Sequence, residues 1–147
     1  MAVVSIDNPE YCSQRKLFLV LGMHRSGTSA IARALQVFGA HLGDTLIPPG
    51  FDNPRGFWED RDILRINEKL LSELGSAYDR PNAPDIDLSS PAMRTIKTEA
   101  LQILQRKLVS YDLFAIKDPR LARLLPFWKA VFSEGAYAVT YIIALRN

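Results

Sequence analysis

Leu17-Phe-Leu-Val-Leu-Gly-Met-His-Arg-Ser-Gly-Thr-Ser29 decides how this chain is read. Leu17 to Leu21 is an unbroken apolar run closed by glycine, the pattern of a strand buried on both faces of a parallel sheet. Beyond Gly22 the period turns helical: Ile31, Leu35 and Phe38 recur at spacings of four and three, and Gly39 supplies a stop. Gly22 and Gly27 stand five apart, so the chain between them can wrap until successive N–H groups converge on an anion. The helix that follows adds its positive end to that cradle.

Outward from this unit, Leu46 to Asp60 holds Pro48, Pro49, Gly50, Pro54 and Gly56 and reads as a loop. Ile63, Ile66, Leu70 and Leu74 mark the apolar face of a helix closed by Gly75, with Arg61, Asp62, Arg65, Glu68 and Lys69 mostly on its solvated side. Residues 76–90 form a second loop. Ser90-Pro91 is a cap and first-turn pair for a helix carrying Met93, Ile96, Ala100, Ile103 and Leu108. Leu113 to Ile116 is a second buried strand. Asp118-Pro119 then opens a helix through Leu121, Leu124, Leu125 and Trp128, which Pro126 is expected to kink or divide. Tyr137 to Leu145, rich in β-branched and aromatic residues, is a third strand. This alternation predicts an α/β fold with a parallel sheet.

With 147 residues the chain has room for one domain, read as a flexible lead-in over 1–15 and a domain over 16–147. It stops at Asn147, directly after the third strand, and so reads as the N-terminal part of that domain, truncated before its remaining layers. Eighteen basic against sixteen acidic side chains leave +2, too little for a surface that grips nucleic acid along its length. Any anion site must be local. The single Cys12 excludes an intramolecular disulfide and any zinc site of two or more thiolates, and His24 and His41 lack partners at metal spacing. No basic segment precedes an apolar stretch at Met1–Asp7, and no apolar run approaches the ~20 residues that span a bilayer, so the expectation is a cytoplasmic protein without a membrane span.

The 22–29 turn departs from the triphosphatase loop G-x-x-x-x-G-K-[ST] at one place: Thr28 stands where lysine would reach the terminal phosphates, and the cation is Arg25, inside the loop. Arg25-Ser-Gly-Thr-Ser29 resembles the 5′-phosphosulfate loop of sulfotransferases that use 3′-phosphoadenosine 5′-phosphosulfate (PAPS). Lys117-Asp118-Pro119 resembles a segment of the tyrosylprotein sulfotransferases, and Ile142 to Asn147 resembles the start of the family's 3′-phosphate motif. Asp52-Asn-Pro-Arg-Gly-Phe-Trp-Glu-Asp60 is similar to a segment of bacterial members, placed like the loop glutamate that serves as base.

The resemblance implies a P-loop-type three-layer αβα domain that moves a sulfuryl group from PAPS to a hydroxyl, with no metal. The implied cofactor-binding residues are His24, Arg25, Ser26, Gly27, Thr28 and Ser29 around the phosphosulfate, and Arg146 on the 3′-phosphate. Arg25 supplies charge-assisted bonds, and Lys117, at the carboxyl end of its strand, a second cation. From the residues alone Glu59 and Asp60 are equal candidates for the base; the resemblance points to Glu59, whose pKa burial near Phe57 and Trp58 would have to raise. The acceptor is a sugar, lipid, peptide or small molecule bearing a hydroxyl. Two rival readings remain: a nucleotide kinase using Mg-ATP, which should carry lysine at position 28, and a non-catalytic nucleotide-binding module. More ordinary roles compete at single residues: Ser26 as a helix cap, Lys117 paired with Asp118, Glu59 serving the helix that follows it, and Asp118 as a cap.

Overall fold

β1, Lys16–Leu21, lies at the middle of a three-stranded parallel sheet, with β2 (Leu113–Lys117) on one side and β3 (Ala138–Ile143) on the other. The computed structural model describes residues 16–51, 53–77 and 84–145. Four helices complete the chain order: α1 (Thr28–Val37) after β1, then α2 (Arg61–Glu73) and α3 (Pro91–Ser110), and α4 (Leu121–Glu134) between β2 and β3. The fold is α/β with a parallel sheet, as the alternation predicts. The lead-in over 1–15 lies outside the described residues.

The side-chain period of β1 sorts the layers. Leu17, Leu19 and Leu21 pack with Ile66, Leu70, Leu104, Leu124 and Trp128 from α2, α3 and α4. Phe18 faces the other way, into a smaller cluster with Ala32 and Leu35 of α1 and Ala115 of β2. Both faces of β1 are therefore covered, which is why its sequence is a run and not an alternation. The crossover from β1 leads to β2 on one side, and the next, from β2, passes over β1 to β3 on the other, so the order reverses at the carboxyl end of β1, where α/β sheets bind ligands. Val20 is in register with Lys117 of β2 and with Ile142 of β3. The 22–27 turn and Lys117 thus share one sheet edge.

Pro126 does not divide α4, which runs on to Glu134. Proline removes one hydrogen bond and costs about 3 kcal/mol in a helix interior. Phe127, Trp128 and Val131, all 0% exposed, follow it. At ~1.5–3 kcal/mol for each large apolar side chain buried, their packing outweighs the loss.

The long loop before α2 is closed at its base. Ile47 N–H donates to the Glu59 carbonyl and Arg61 N–H to the Thr45 carbonyl, each at 2.9 Å. Asp60 caps α2 by accepting from the N–H groups of Asp62 and Ile63. Its other oxygen takes a 2.8 Å bond from Lys107 of α3, itself 3.4 Å from Asp44 and 3.1 Å from Asp62. A Cβ on Gly43 would sit 2.0 Å from Asp60 Oδ2, so only glycine lets the chain pass there. Lys107→Met should destabilise the fold by about 3–5 kcal/mol, because it strands a buried carboxylate. A lower urea midpoint measures this; an unchanged one would show that Asp60 needs no partner. Burial pulls the Lys107 ammonium down, yet Asp60 and Asp62 carry its pKa above the ordinary lysine value. Its contribution is complete below that ordinary value and is lost only as alkali passes the raised one.

Candidate functional site

At the carboxyl end of β1 the chain turns through Gly22 to Gly27 before α1 begins at Thr28. Space at Gly22 is the first constraint: a Cβ there would lie 2.6 Å from Ser26 Oγ, 2.8 Å from Thr28 Cγ2 and 3.1 Å from Ala144 Cβ. Arg25 (φ 64°) and Gly27 (φ 95°) both take left-handed backbone on either side of Ser26. For arginine that conformation is uncommon, and such positions cluster at ligand clamps. Ser26 is not the cap of α1. Its hydroxyl donates to the Met23 carbonyl at 2.7 Å, the capping position is Gly27, and no side chain caps the helix. The first turn also holds no acidic residue. The N–H groups that begin α1 have no intrahelical acceptor, which is the local chemistry of an anion site. His24, Arg25 and Gly27 are exposed, Ser26 and Ser29 half-buried, and Thr28 buried.

Across the same edge, Lys117 ends β2 with its side chain on the α1 side of the sheet. Its ammonium donates to Glu59 Oε1 at 2.5 Å and to the Phe57 carbonyl at 2.9 Å. Both side chains of the pair are nearly sealed, at 4% and 6% exposure. Between Phe57 and Glu59, Trp58 is held at φ 61°, and Arg33 of α1 lies 5.2 Å over its ring. A left-handed tryptophan costs on the order of 1–3 kcal/mol. Lys117 offsets this by clasping the residues on either side, and the kink turns the Glu59 carboxylate under the sheet edge.

Glu59 and Asp60, equal in sequence, are separated by the fold. Asp60 is occupied with the α2 terminus and Lys107, so the service to the helix falls to Asp60 and not to Glu59. Burial pushes the Glu59 pKa above the ordinary glutamate value, the negative charge of Asp118 adds to the rise, and Lys117 and Arg120 only partly oppose it. A carboxylate in this condition is a stronger base than one in water.

Lys117 pairs with Glu59 instead of Asp118. Asp118, expected as a cap, does accept the Arg120 N–H at 2.8 Å, but it is also 1% exposed and bonded to Asn67 of α2. Asn67 and Trp128 carry no local signal that joins them to the site; their bonds, Asn67 to Asp118 and Trp128 to Asn67, span 51 and 61 positions. Arg146 lies outside the described residues. Two positions before it, Ala144 N–H donates to the Leu21 carbonyl at 2.8 Å, which ties the end of β3 to β1 beside Gly22. Two clefts lie elsewhere: a groove of about 680 Å³ lined by Asp62, Arg65, Glu99 and Arg106, and one of about 460 Å³ by His41 and Tyr111. Neither contains a residue of the site described above. Among the described residues no helix is long and apolar enough to cross a membrane. No family model matches the chain, and no curated protein or solved structure matches it.

Proposed function

We propose that this chain binds PAPS at the 22–29 turn and serves the transfer of its sulfuryl group to a hydroxyl acceptor. The observation that carries the reading is the buried pair of Glu59 and Lys117 beside an uncapped strand-to-helix turn whose cation is Arg25. The donor supplies a sulfuryl group on a phosphate leaving group. The N–H groups opening α1, with the hydroxyls of Thr28 and Ser29, fit its 5′-phosphate, and Arg25 its developing charge. Lys117 is placed to shift from Glu59 toward the sulfuryl oxygens. A sulfuryl group carries less charge than a terminal phosphoryl group, so two cations suffice without magnesium. As Lys117 shifts, the Glu59 carboxylate it leaves takes the acceptor's proton. Arg146 is the candidate for the 3′-phosphate, the group that separates this donor from ATP.

Calorimetric titration tests the assignment. Adenosine 3′,5′-bisphosphate should bind at least about tenfold more tightly than Mg-ATP, a difference of ~1.4 kcal/mol. The opposite order would favour a nucleotide kinase, and binding of neither would end the proposal.

A further inference from the structure

Behind Glu59 a buried chain of hydrogen bonds crosses from α4 to the carboxyl edge of the sheet, and it can run in only one direction. An indole N–H donates and never accepts. The 2.8 Å bond from Trp128 Nε1 therefore ends on Asn67 Oδ1. This orients the carboxamide, so Asn67 Nδ2 donates to Asp118 Oδ2 at 2.9 Å. Asp118 Oδ1 accepts from Arg120 twice, from its backbone N–H at 2.8 Å and from Nη1 at 3.0 Å. Trp128 and Asn67 are 0% exposed and Asp118 1%, so these three members are closed to solvent, and the chain reaches water only at Arg120. Both Asp118 oxygens face donors, the environment of a carboxylate and not of a carboxylic acid.

The far end of this chain touches the base. Arg120 Nη1, held by Asp118, lies 3.8 Å from Glu59 Oε2. Among the described residues the charged groups that act on Glu59 are Lys117 from β2 and Asp118 and Arg120 from the β2–α4 turn. Resting on the reading of Glu59 as base, we propose that Asn67 and Trp128 are positioning residues: they hold Asp118 as a carboxylate and Arg120 against Glu59, and so set the basicity of Glu59 from the opposite layer. The sign follows from Coulomb's law. A fixed negative charge at Asp118 disfavours a second one at Glu59 and makes Glu59 keep its proton to higher pH, in agreement with the direction of its shift.

The test exchanges the charge and keeps the bonds, by pairing Asn67→Asp with Asp118→Asn. In that double variant the carboxylate at position 67 accepts from Trp128 and from the carboxamide at position 118, whose oxygen still accepts from Arg120. The negative charge moves one link away from Glu59. Carbon-13 NMR of the Glu59 carboxyl should show its titration midpoint shifted to lower pH, and the acid limb of kcat/KM should move the same way. Asp118→Asn alone sets its NH2 against a donor whichever way the carboxamide turns, either the Asn67 NH2 or the N–H groups of Arg120, since Asn67 cannot turn over without abandoning Trp128. It should melt at a lower temperature than wild type, and adding Asn67→Asp should restore the loss. An unmoved Glu59 midpoint in the folded double variant, or no rescue of the single variant, overturns the relay. Should the double variant not fold, Trp128→Phe, which removes only the first donor of the chain, decides: the Glu59 midpoint should move, and an unmoved midpoint in that folded variant overturns the proposal. The NMR midpoint needs no turnover, so an absence of sulfuryl transfer would remove Glu59 as base without deciding the relay.

Discussion

Arg25→Ala is expected to lower the rate of sulfuryl transfer by about 10²–10³-fold, the ~2.7–4 kcal/mol that one preorganised donor at a developing charge supplies. Arginine and alanine pay a similar backbone penalty at φ 64°, so the comparison isolates the guanidinium and not the turn. The loss should fall mainly on kcat, because charge grows on the leaving oxygen only as the bond breaks. Affinity for adenosine 3′,5′-bisphosphate should change less, since the N–H groups that open α1 do not involve the side chain. Arg25→Lys keeps a charge but not the fork of donors, and it should recover part of the rate. Steady-state kinetics with a single acceptor checks both variants. An alanine variant with wild-type kcat would take Arg25 out of the chemistry and leave the turn as a mere binding loop.

The parts of this site that were legible in sequence are those whose signal is local. β1 reads as a strand because both of its faces are buried, and the turn after it reads from two glycines and the change of period. Lys117 reads as a residue of the ligand edge from its position after an apolar strand. What stayed hidden depends on partners distant in the chain. Asp118 and Asn67 are separated by 51 positions, and Lys107 and Asp60 by 47. The helical period does set Asn67 on the face of Ile63 and Leu70, and Lys107 on that of Ala100 and Ile103, but their polar and charged residue types argue for solvent and nothing local names the partner each one meets. The proline beside Asp118 marks it as a helix cap, which accounts for one of its oxygens and misses the other. The choice between Glu59 and Asp60 was equally closed to sequence. It turns on the left-handed Trp58, a conformation that no residue preference would have suggested for tryptophan.

Glu59→Gln should reduce transfer by about 10²–10⁴-fold, the usual contribution of a positioned general base, while leaving nucleotide binding in place. Glutamine still offers an oxygen to the Lys117 ammonium, so the clasp around Trp58 is retained and only the proton acceptor is lost. The pH dependence separates this role from a structural one. A base at Glu59 must be ionised to accept the proton, so wild-type kcat/KM should climb as pH rises through the raised Glu59 pKa, and the residual activity of the variant should be flat across that interval. An ordinary structural ion pair would lower a glutamate pKa; here burial and Asp118 raise it in spite of Lys117. By linkage, the contribution of Glu59 to stability is complete below the ordinary glutamate pKa and is lost as pH rises through the raised one. Above the raised pKa the ionised side chain is thus kept at some expense of stability. Removing one partner of a buried pair costs up to ~3–5 kcal/mol, so the variant must be assayed well below its own melting temperature. Transfer that persists there with an unchanged acid limb would place the base elsewhere. Asp60 is an unsuitable substitute, because α2 and Lys107 already occupy both of its oxygens.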